Sequence, residues 1–398
     1  MDSVAIVSPY RRQGAARLAS RSDSALNWYT DMLAHALASA ARVEIIAPRG
    51  NEHARWRDGD VEVVETYRRG STLAAFQIGF GALRSGARLV HVQHELFAFG
   101  GIASALTLPI VLRVLRASGR RVVTTIHGVI PLSSVTREFV RRNGSRLPPA
   151  LARYAWRGLI RSVCAASDLI IVHAEGHRQS LKDDYGVRTP IEVVPIGSAP
   201  LAPASEEERR RGREALGIKP ADEVLTFFGY FAGYKGIDEL LAAVPRLFAQ
   251  RPNLHVVLAG DIPERLEPAA ELRKRIADLC AAHERLHAVG FVPEEEVRTI
   301  FAVTDALILP YTAAISASGP LSIAAGYGVP VLVSRCLAME KDAPFAFDPT
   351  AQGIEDAVQR FFDDERVRSE SALFVKRLSE RQSWQAVALR HAVLYGSL

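Results

Sequence analysis

The sequence predicts an α/β protein built from two tandem Rossmann-like halves. Two observations carry this. Short β-branched runs alternate with helical-period stretches along nearly the whole chain, and a strand-free stretch rich in Pro, Ala and charge interrupts the alternation once, near the middle. With 398 residues, 48% hydrophobic and 23% charged, the chain is long enough for two or three domains and apolar enough to bury a core in each.

In the first half "VAIVSP" (4–9), "VEIIAP" (43–48), "LVHVQH" (89–94), "VVTTIH" (122–127), "LIIVHA" (169–174) and "IEVVPIG" (191–197) read as strands. Between the first two, Leu26, Tyr29, Leu33, Ala36 and Leu37 share one helical face. The interruption is "PIGSAPLAPASEEERRRGREALGIKPADE". Beyond it the strands resume as "VLTFFGY" (224–230), "LHVVLAG" (254–260), "LHAVGFV" (286–292), "DALILPY" (305–311) and "VPVLVS" (329–334). The terminal "QSWQAVALRHAVLYGSL" is amphipathic, with Trp384, Val387, His391 and Leu394 in register. The expected division is 1–198, 199–380 and a final helix at 381–398.

Composition excludes several classes. Cys164, Cys280 and Cys336 are scattered and show no metal-ligand spacing, which suits a reducing cytoplasm rather than a disulfide framework. "MDSVAIVSPY" lacks the basic and apolar regions of a signal peptide. "GGIASALTLPIVL", the longest apolar stretch, is too short to span a bilayer. No GxGxxG follows the first strand and no GxxxxGK[ST] occurs, so neither a nicotinamide dehydrogenase nor a P-loop is expected. Asp58-Gly59-Asp60 resembles a DxD metal motif but reads as a turn ahead of a strand. His91, His94 and Glu95 are ligand-type residues, but His91 and His94 point to opposite faces of their strand, so no metal site is expected there. No metal is expected.

Net charge is a mild +5, but residues 137–161 hold seven arginines and one acid, Glu138. Arg153, Arg157 and Arg161 share one helical face, interleaved with Leu151, Tyr154, Ala155 and Leu159 beside Trp156. The stripe reads as a solvated helix or as a contact with the anionic inner face of a membrane. Nucleic acid is not expected, because no binding module surrounds it.

Two stretches carry anion-binding chemistry. In "FFGYFAGYKGIDELLAA" a strand ends at Gly229 and Lys235 stands beside Gly236 ahead of a helix. Such a lysine lies at the carboxyl edge of a parallel sheet, where open α/β folds take ligands. In "SASGPLSIAAGYGVPVLVS" (316–334), Ser318, Gly319 and Pro320 form a helix start that breaks at Gly326 and Gly328. One ammonium and one helix dipole at neighbouring strand edges suit a nucleotide diphosphate.

These motifs, together with "VTTIHGV", "VVPIGS", "VGFVPEEEV", "ALILPY" and "SWQAVALRHAVLY", resemble a GT-B-fold retaining glycosyltransferase of the family-four, group 1 type over nearly the whole chain. The resemblance implies two domains facing across a cleft, with the last helix crossing back to the first. It implies a hexosyltransferase that needs no metal or cofactor and takes a UDP- or GDP-sugar donor in the second half. The first half would hold a sugar, lipid-linked or small-molecule acceptor. Gly229, Lys235, Gly236, Ser318, Gly319, Pro320 and Leu321 would surround the diphosphate, with Lys235 catalytic. Gly290, Phe291, Val292 and Pro293 would lie against the base. His127, also catalytic, would face the donor sugar. Gln93 and Glu95 in "VQHELFAFGG" are acceptor-side candidates. The chain departs from the family pattern where two glutamates are common, at Ile315 and Ile323, and where an arginine is common, at Tyr230. A GT-B epimerase or phosphorylase, or a catalytically silent partner protein, are the competing readings.

Overall fold

The computed structural model describes residues 3–10, 24–49, 54–95, 98–142, 145–199, 201–262, 269–338 and 343–398. Leu96 and Phe97 of the Gln-His-Glu segment, and Asn143 and Gly144 of the arginine-rich segment, lie outside them.

The first half runs β1 (Ser3–Val7), α1 (Ser24–Ala38), β2 (Arg42–Pro48), β3 (Arg55–Asp58), β4 (Val61–Tyr67), α2 (Ala74–Arg84) and β5 (Leu89–His94). It continues with α3 (Ile102–Ala117), β6 (Arg121–Ile126), α4 (Arg137–Arg142), α5 (Pro149–Ala165), β7 (Leu169–Val172), α6 (Glu175–Asp183) and β8 (Ile191–Val193). The strands form a sheet of order β3-β4-β2-β1-β5-β6-β7-β8, parallel except for the β3–β4 hairpin. Asp58-Gly59-Asp60 is the turn of that hairpin, with Gly59 at φ +56°.

Strand alternation divides the core. Val4 and Ile6 of β1 face α1, whereas Ala5 and Val7 face α2 and α3. Because both faces are covered, the strands read as continuous apolar runs.

Across the interruption come α7 (Glu206–Ala215), β9 (Glu223–Phe228), α8 (Ile237–Gln250), β10 (Leu254–Ala259), α9 (Ala269–Ala282), β11 (Leu286–Gly290) and α10 (Glu294–Val303). Next are β12 (Ala306–Leu309), α11 (Gly319–Tyr327), β13 (Val331–Val333), α12 (Arg335–Ala338), α13 (Ala351–Asp363), α14 (Glu365–Arg381) and α15 (Trp384–Gly396). Their sheet, β11-β10-β9-β12-β13, is wholly parallel. The interruption itself carries a helix, α7, started by a capping box in which Ser205 and Glu208 satisfy each other's backbone N–H.

The last helix crosses back to the first half. The Ser198 N–H donates to the Gln382 carbonyl at 2.6 Å, and Ser383 caps α15. Trp384, Val387 and Tyr395 are buried in the core beneath α1. Trp384 lies so close to the hinge that a β-carbon on Gly197 would stand 2.3 Å from its ring.

Candidate functional site

The carboxyl ends of β9 and β12 face the carboxyl ends of β5 and β6. β9 stops at Gly229, whose φ of +113° turns the chain sharply and whose N–H donates to the Ala259 carbonyl. A single 3-10 turn, Gly233–Lys235, follows, and Gly236 at φ +77° starts α8. A β-carbon on Gly236 would sit 1.8 Å from the Pro310 carbonyl oxygen, so only glycine fits there. Lys235 is thereby fixed on the sheet edge, largely buried, with its ammonium 5.8 Å from the Tyr311 ring centroid.

α11 begins where β12 ends. Ser318 caps it by accepting the Leu321 N–H at 3.2 Å, and Tyr311 Oη lies 3.2 Å from Ser318 Oγ. This start converges on the loop between β9 and α8: the β-carbon position of Gly229 is 3.3 Å from both Lys235 Nζ and Pro320 Cγ. The structure brings Gly229, Lys235, Gly236 and the 318–321 turn together. Two details differ from the sequence reading. The Leu321 N–H is taken up by the cap and Pro320 has none, so Ser318 and Gly319 are the backbone donors at this point. The helix also runs through Gly326 and ends only at Gly328, φ +71°. Gly326 is small for another reason, since a β-carbon there would stand 2.4 Å from the Ala199 carbonyl oxygen.

Gly290 closes β11 at φ +75°, and its carbonyl accepts the Gly260 N–H at 2.8 Å. Phe291 is exposed, Val292 packs on the core, and Pro293 precedes α10. "LHAVGFV" is thus strand only to Gly290. Glu294 in the first turn of α10 has its pKa raised by burial and by the Asp31 carboxylate of α1 across the cleft.

His127 stands at the end of β6. Its Nε2 lies 2.8 Å from Gln93 Oε1 and its Nδ1 3.1 Å from His173 Nε2. His173 Nδ1 must donate to the Val194 carbonyl, 2.9 Å away. His173 Nε2 is then an acceptor, so His127 carries its proton on Nδ1 and accepts at Nε2. A neutral chain therefore requires Gln93 to turn its amide NH₂ toward His127. Burial, then the neighbouring His173, holds the His127 pKa well below the usual histidine value, which favours that neutral arrangement. Gln93 is fully buried and serves His127. Glu95, two residues on, is exposed at its edge, yet desolvation of its carboxylate by the surrounding protein raises its pKa, against the pull of Lys235 and Arg69.

Two features had no separate sequence signal. The Val129 N–H donates to the Ile315 carbonyl at 2.9 Å, and Gly128 bridges Ser316, so the loop between β12 and α11 is clasped to the His127 segment by backbone. Where the family pattern has a glutamate, Ile315 supplies a carbonyl to the interdomain clasp, while Ile323 packs in the second core. Tyr234 ties the two loops of the second half together, through Ser316 Oγ at 3.0 Å and the Thr312 N–H at 2.8 Å.

Among the described residues Asp31, His35 and Asp58 form a group of metal-ligand type, but the Tyr10 hydroxyl lies 2.6 and 2.8 Å from the two carboxylates. A cavity of about 500 Å³ lies at the opposite edge of the second sheet, among Arg209, Arg213, Asp222, Asp305 and Arg368. Arg209 and Arg213 both pair with Asp305 there, as a structural ion-pair cluster remote from the cleft.

Comparison with known proteins fits this geometry. Glycosyl transferases group 1 matches residues 222–364, and Glycosyltransferase Family 4 matches residues 26–198. D-inositol 3-phosphate glycosyltransferase of Corynebacterium glutamicum (strain R) is 24% identical over 287 residues, 68% of this chain and 66% of that protein. The chain spans between about a third and two thirds of the length of the curated relatives it matches. Sucrose-phosphate synthase from Thermosynechococcus elongatus superposes with a TM-score of 0.73 at 18% identity, covering 100% of this chain and 99% of that one. Anabaena HepE in complex with UDP-glucose superposes at 0.69 and 16% identity, covering all of both chains. Two largely parallel sheets across a cleft, a crossing last helix and both halves matched in order lead to one assignment: the chain belongs to the group 1, family 4 glycosyltransferases of GT-B fold.

Proposed function

We propose that this protein is a retaining, metal-independent hexosyltransferase that moves a sugar from a UDP- or GDP-sugar to a hydroxyl acceptor in carbohydrate or glycolipid synthesis. Residues 199–380 hold the donor, residues 1–198 the acceptor, and 381–398 pins the two. The observation that carries the reading is the convergence of the Lys235 ammonium, the Gly229 turn and the capped start of α11 within one small space. A diphosphate there meets one full positive charge and the positive end of a helix dipole, on backbone with no side chain in the way.

The chemistry follows from that charge. As the anomeric bond breaks, negative charge grows on the leaving diphosphate, and Lys235 with the Ser318 and Gly319 N–H groups stabilises it. In this reading the leaving phosphate takes the acceptor proton, so no separate carboxylate base is needed. Gly290 to Pro293 line the base, and His127, neutral and held by Gln93 and His173, faces the sugar. Glu95 orients the acceptor. The Gly128–Ser316 clasp keeps the halves closed over the donor and water out. The protein works in the cytoplasm, with peripheral membrane contact through its arginine-rich first half.

Calorimetry with UDP and GDP, followed by Lys235→Ala, tests the site. Wild type should bind one diphosphate in the presence of EDTA. The variant should lose turnover by about 10²–10³ while melting as wild type. Undiminished turnover in the variant would move the donor site elsewhere.

A further inference from the structure

We propose that the outer face of α2 and α3 docks on the anionic leaflet of a bilayer. The two helices share one core, packed so closely that a β-carbon on Gly79 would stand 2.6 Å from Val111 Cγ1. Their inward rows, Ile78 on α2 and Leu112 on α3 among them, are fully buried. The outward rows are apolar too. Phe76 and Phe80 on α2, and Ile102, Leu106, Ile110 and Val114 on α3, each expose 50–68% of their surface. Spacings of four residues line each set up along one side of its helix. A helix facing water carries polar residues on that side, and an apolar patch of this extent marks an interaction surface.

Charge decides the occupant. Residues 68–88 and 102–121 hold eight arginines and no aspartate or glutamate. Arg84, Arg88 and Arg113 are exposed, and the Arg84 guanidinium lies 5.4 Å from the Phe80 ring centroid. Others are engaged: Arg116 pairs with Asp168, and Arg120 donates to the Leu83 carbonyl. A second copy docked on this face would bring arginine rims together with no carboxylate between them. An anionic leaflet complements both features, with phosphates for the guanidinium groups and acyl chains for the Phe and Ile side chains. Among the described residues no helix is long and apolar enough to cross a membrane, so the contact is peripheral. The neighbouring α5 adds exposed Leu151 and Tyr154, whereas its arginines turn to its other flank: Arg153 donates to the Val135 carbonyl, and Arg157 and Arg161 lie beside Gly186. Trp156 turns inward against the core around Tyr185 and is no interfacial anchor.

The inference gives the peripheral membrane contact proposed above its surface and does not depend on the transferase reaction. The test is flotation of the full chain with phosphatidylglycerol-containing vesicles and with phosphatidylcholine vesicles. Wild type should float with the anionic vesicles, less so at high salt. A Phe80→Ser/Ile110→Ser variant should lose binding by about tenfold or more while keeping its UDP affinity and melting temperature. A Phe80→Trp variant should shift its emission to the blue on the same vesicles. Absence of flotation at low ionic strength overturns the proposal, as does flotation unaffected by the double variant. Dimerisation in solution that the double variant abolishes would assign the face to a second copy instead.

Discussion

At Gly229 a hydrogen atom in place of a side chain lets the Lys235 ammonium and Pro320 approach the same point. An alanine there would place its β-carbon 3.3 Å from each, in a backbone conformation of φ +113°. We expect Gly229→Ala to cost about 1–2 kcal/mol of stability from the backbone alone and to weaken UDP or GDP binding well beyond that loss. Calorimetry alongside denaturant melts checks it, and unchanged affinity would separate Lys235 from the diphosphate. A second prediction concerns the proton on His127. Gln93→Glu replaces the amide donor with a carboxylate, which stabilises a charged His127 and raises its pKa. The ring nitrogens of His127, followed by NMR against pH, should show proton on Nδ1 alone in wild type across neutral pH. In the variant they should become doubly protonated at higher pH. A wild-type proton on Nε2 would refute the ordering from Val194 through His173.

The start of α11 is the element on which the candidate site depends. Ser318 accepts the Leu321 N–H and meets the Tyr311 hydroxyl, so Ser318→Ala removes a cap and leaves a buried phenol short of a partner. The expected loss is about 1–2 kcal/mol, seen as a drop in melting temperature, with weaker diphosphate binding. A variant as stable as wild type would show the helix needs no cap. The far end of the same helix meets the hinge: Ser198 Oγ donates to the Ser322 carbonyl at 3.0 Å, and the Leu201 N–H donates to that of Gly326. These bonds tie α11 to the segment that joins the two halves.

For the whole molecule, the crossing helix closes a histidine-rich core. Tyr395 Oη lies 2.5 Å from His91 Nδ1, and His91 Nε2 lies 2.7 Å from Thr125 Oγ1. His391 is fully buried, with its Nε2 lacking a partner among the described residues. Burial lowers the pKa of His94 and of His391 to about 4, and those of His91 and His127 well below the usual value. The unfolded chain binds these protons near pH 6.5 and the folded chain does not, so stability rises with pH through this range. It is fully present above about pH 7 and is lost as pH falls toward 4, by about 1–2 kcal/mol per buried histidine at pH 5. Melting temperatures between pH 7.5 and 5 should fall steeply, and His391→Leu should flatten part of the slope. A flat profile would mean these histidines are not neutral in the fold.

Much of this was legible in the sequence because it is local. Strand and helix runs, the Ser318 cap and the glycine-flanked Lys235 are written in residues next to one another, and backbone geometry follows from such neighbours. The parallel sheet then brings β9 beside β12, so the two loops meet as their strand ends require. What only the tertiary structure decided joins distant residues: the Ile315 carbonyl on Val129, Gln93 and His173 on His127, Tyr395 on His91. The same holds for α2 and α3. They are apolar on both faces, and sequence pattern alone reads such a helix as buried. Only the packing of the whole chain leaves Phe80 and Ile110 uncovered, because what lies against a helix is set by every element around it and not by its own residues.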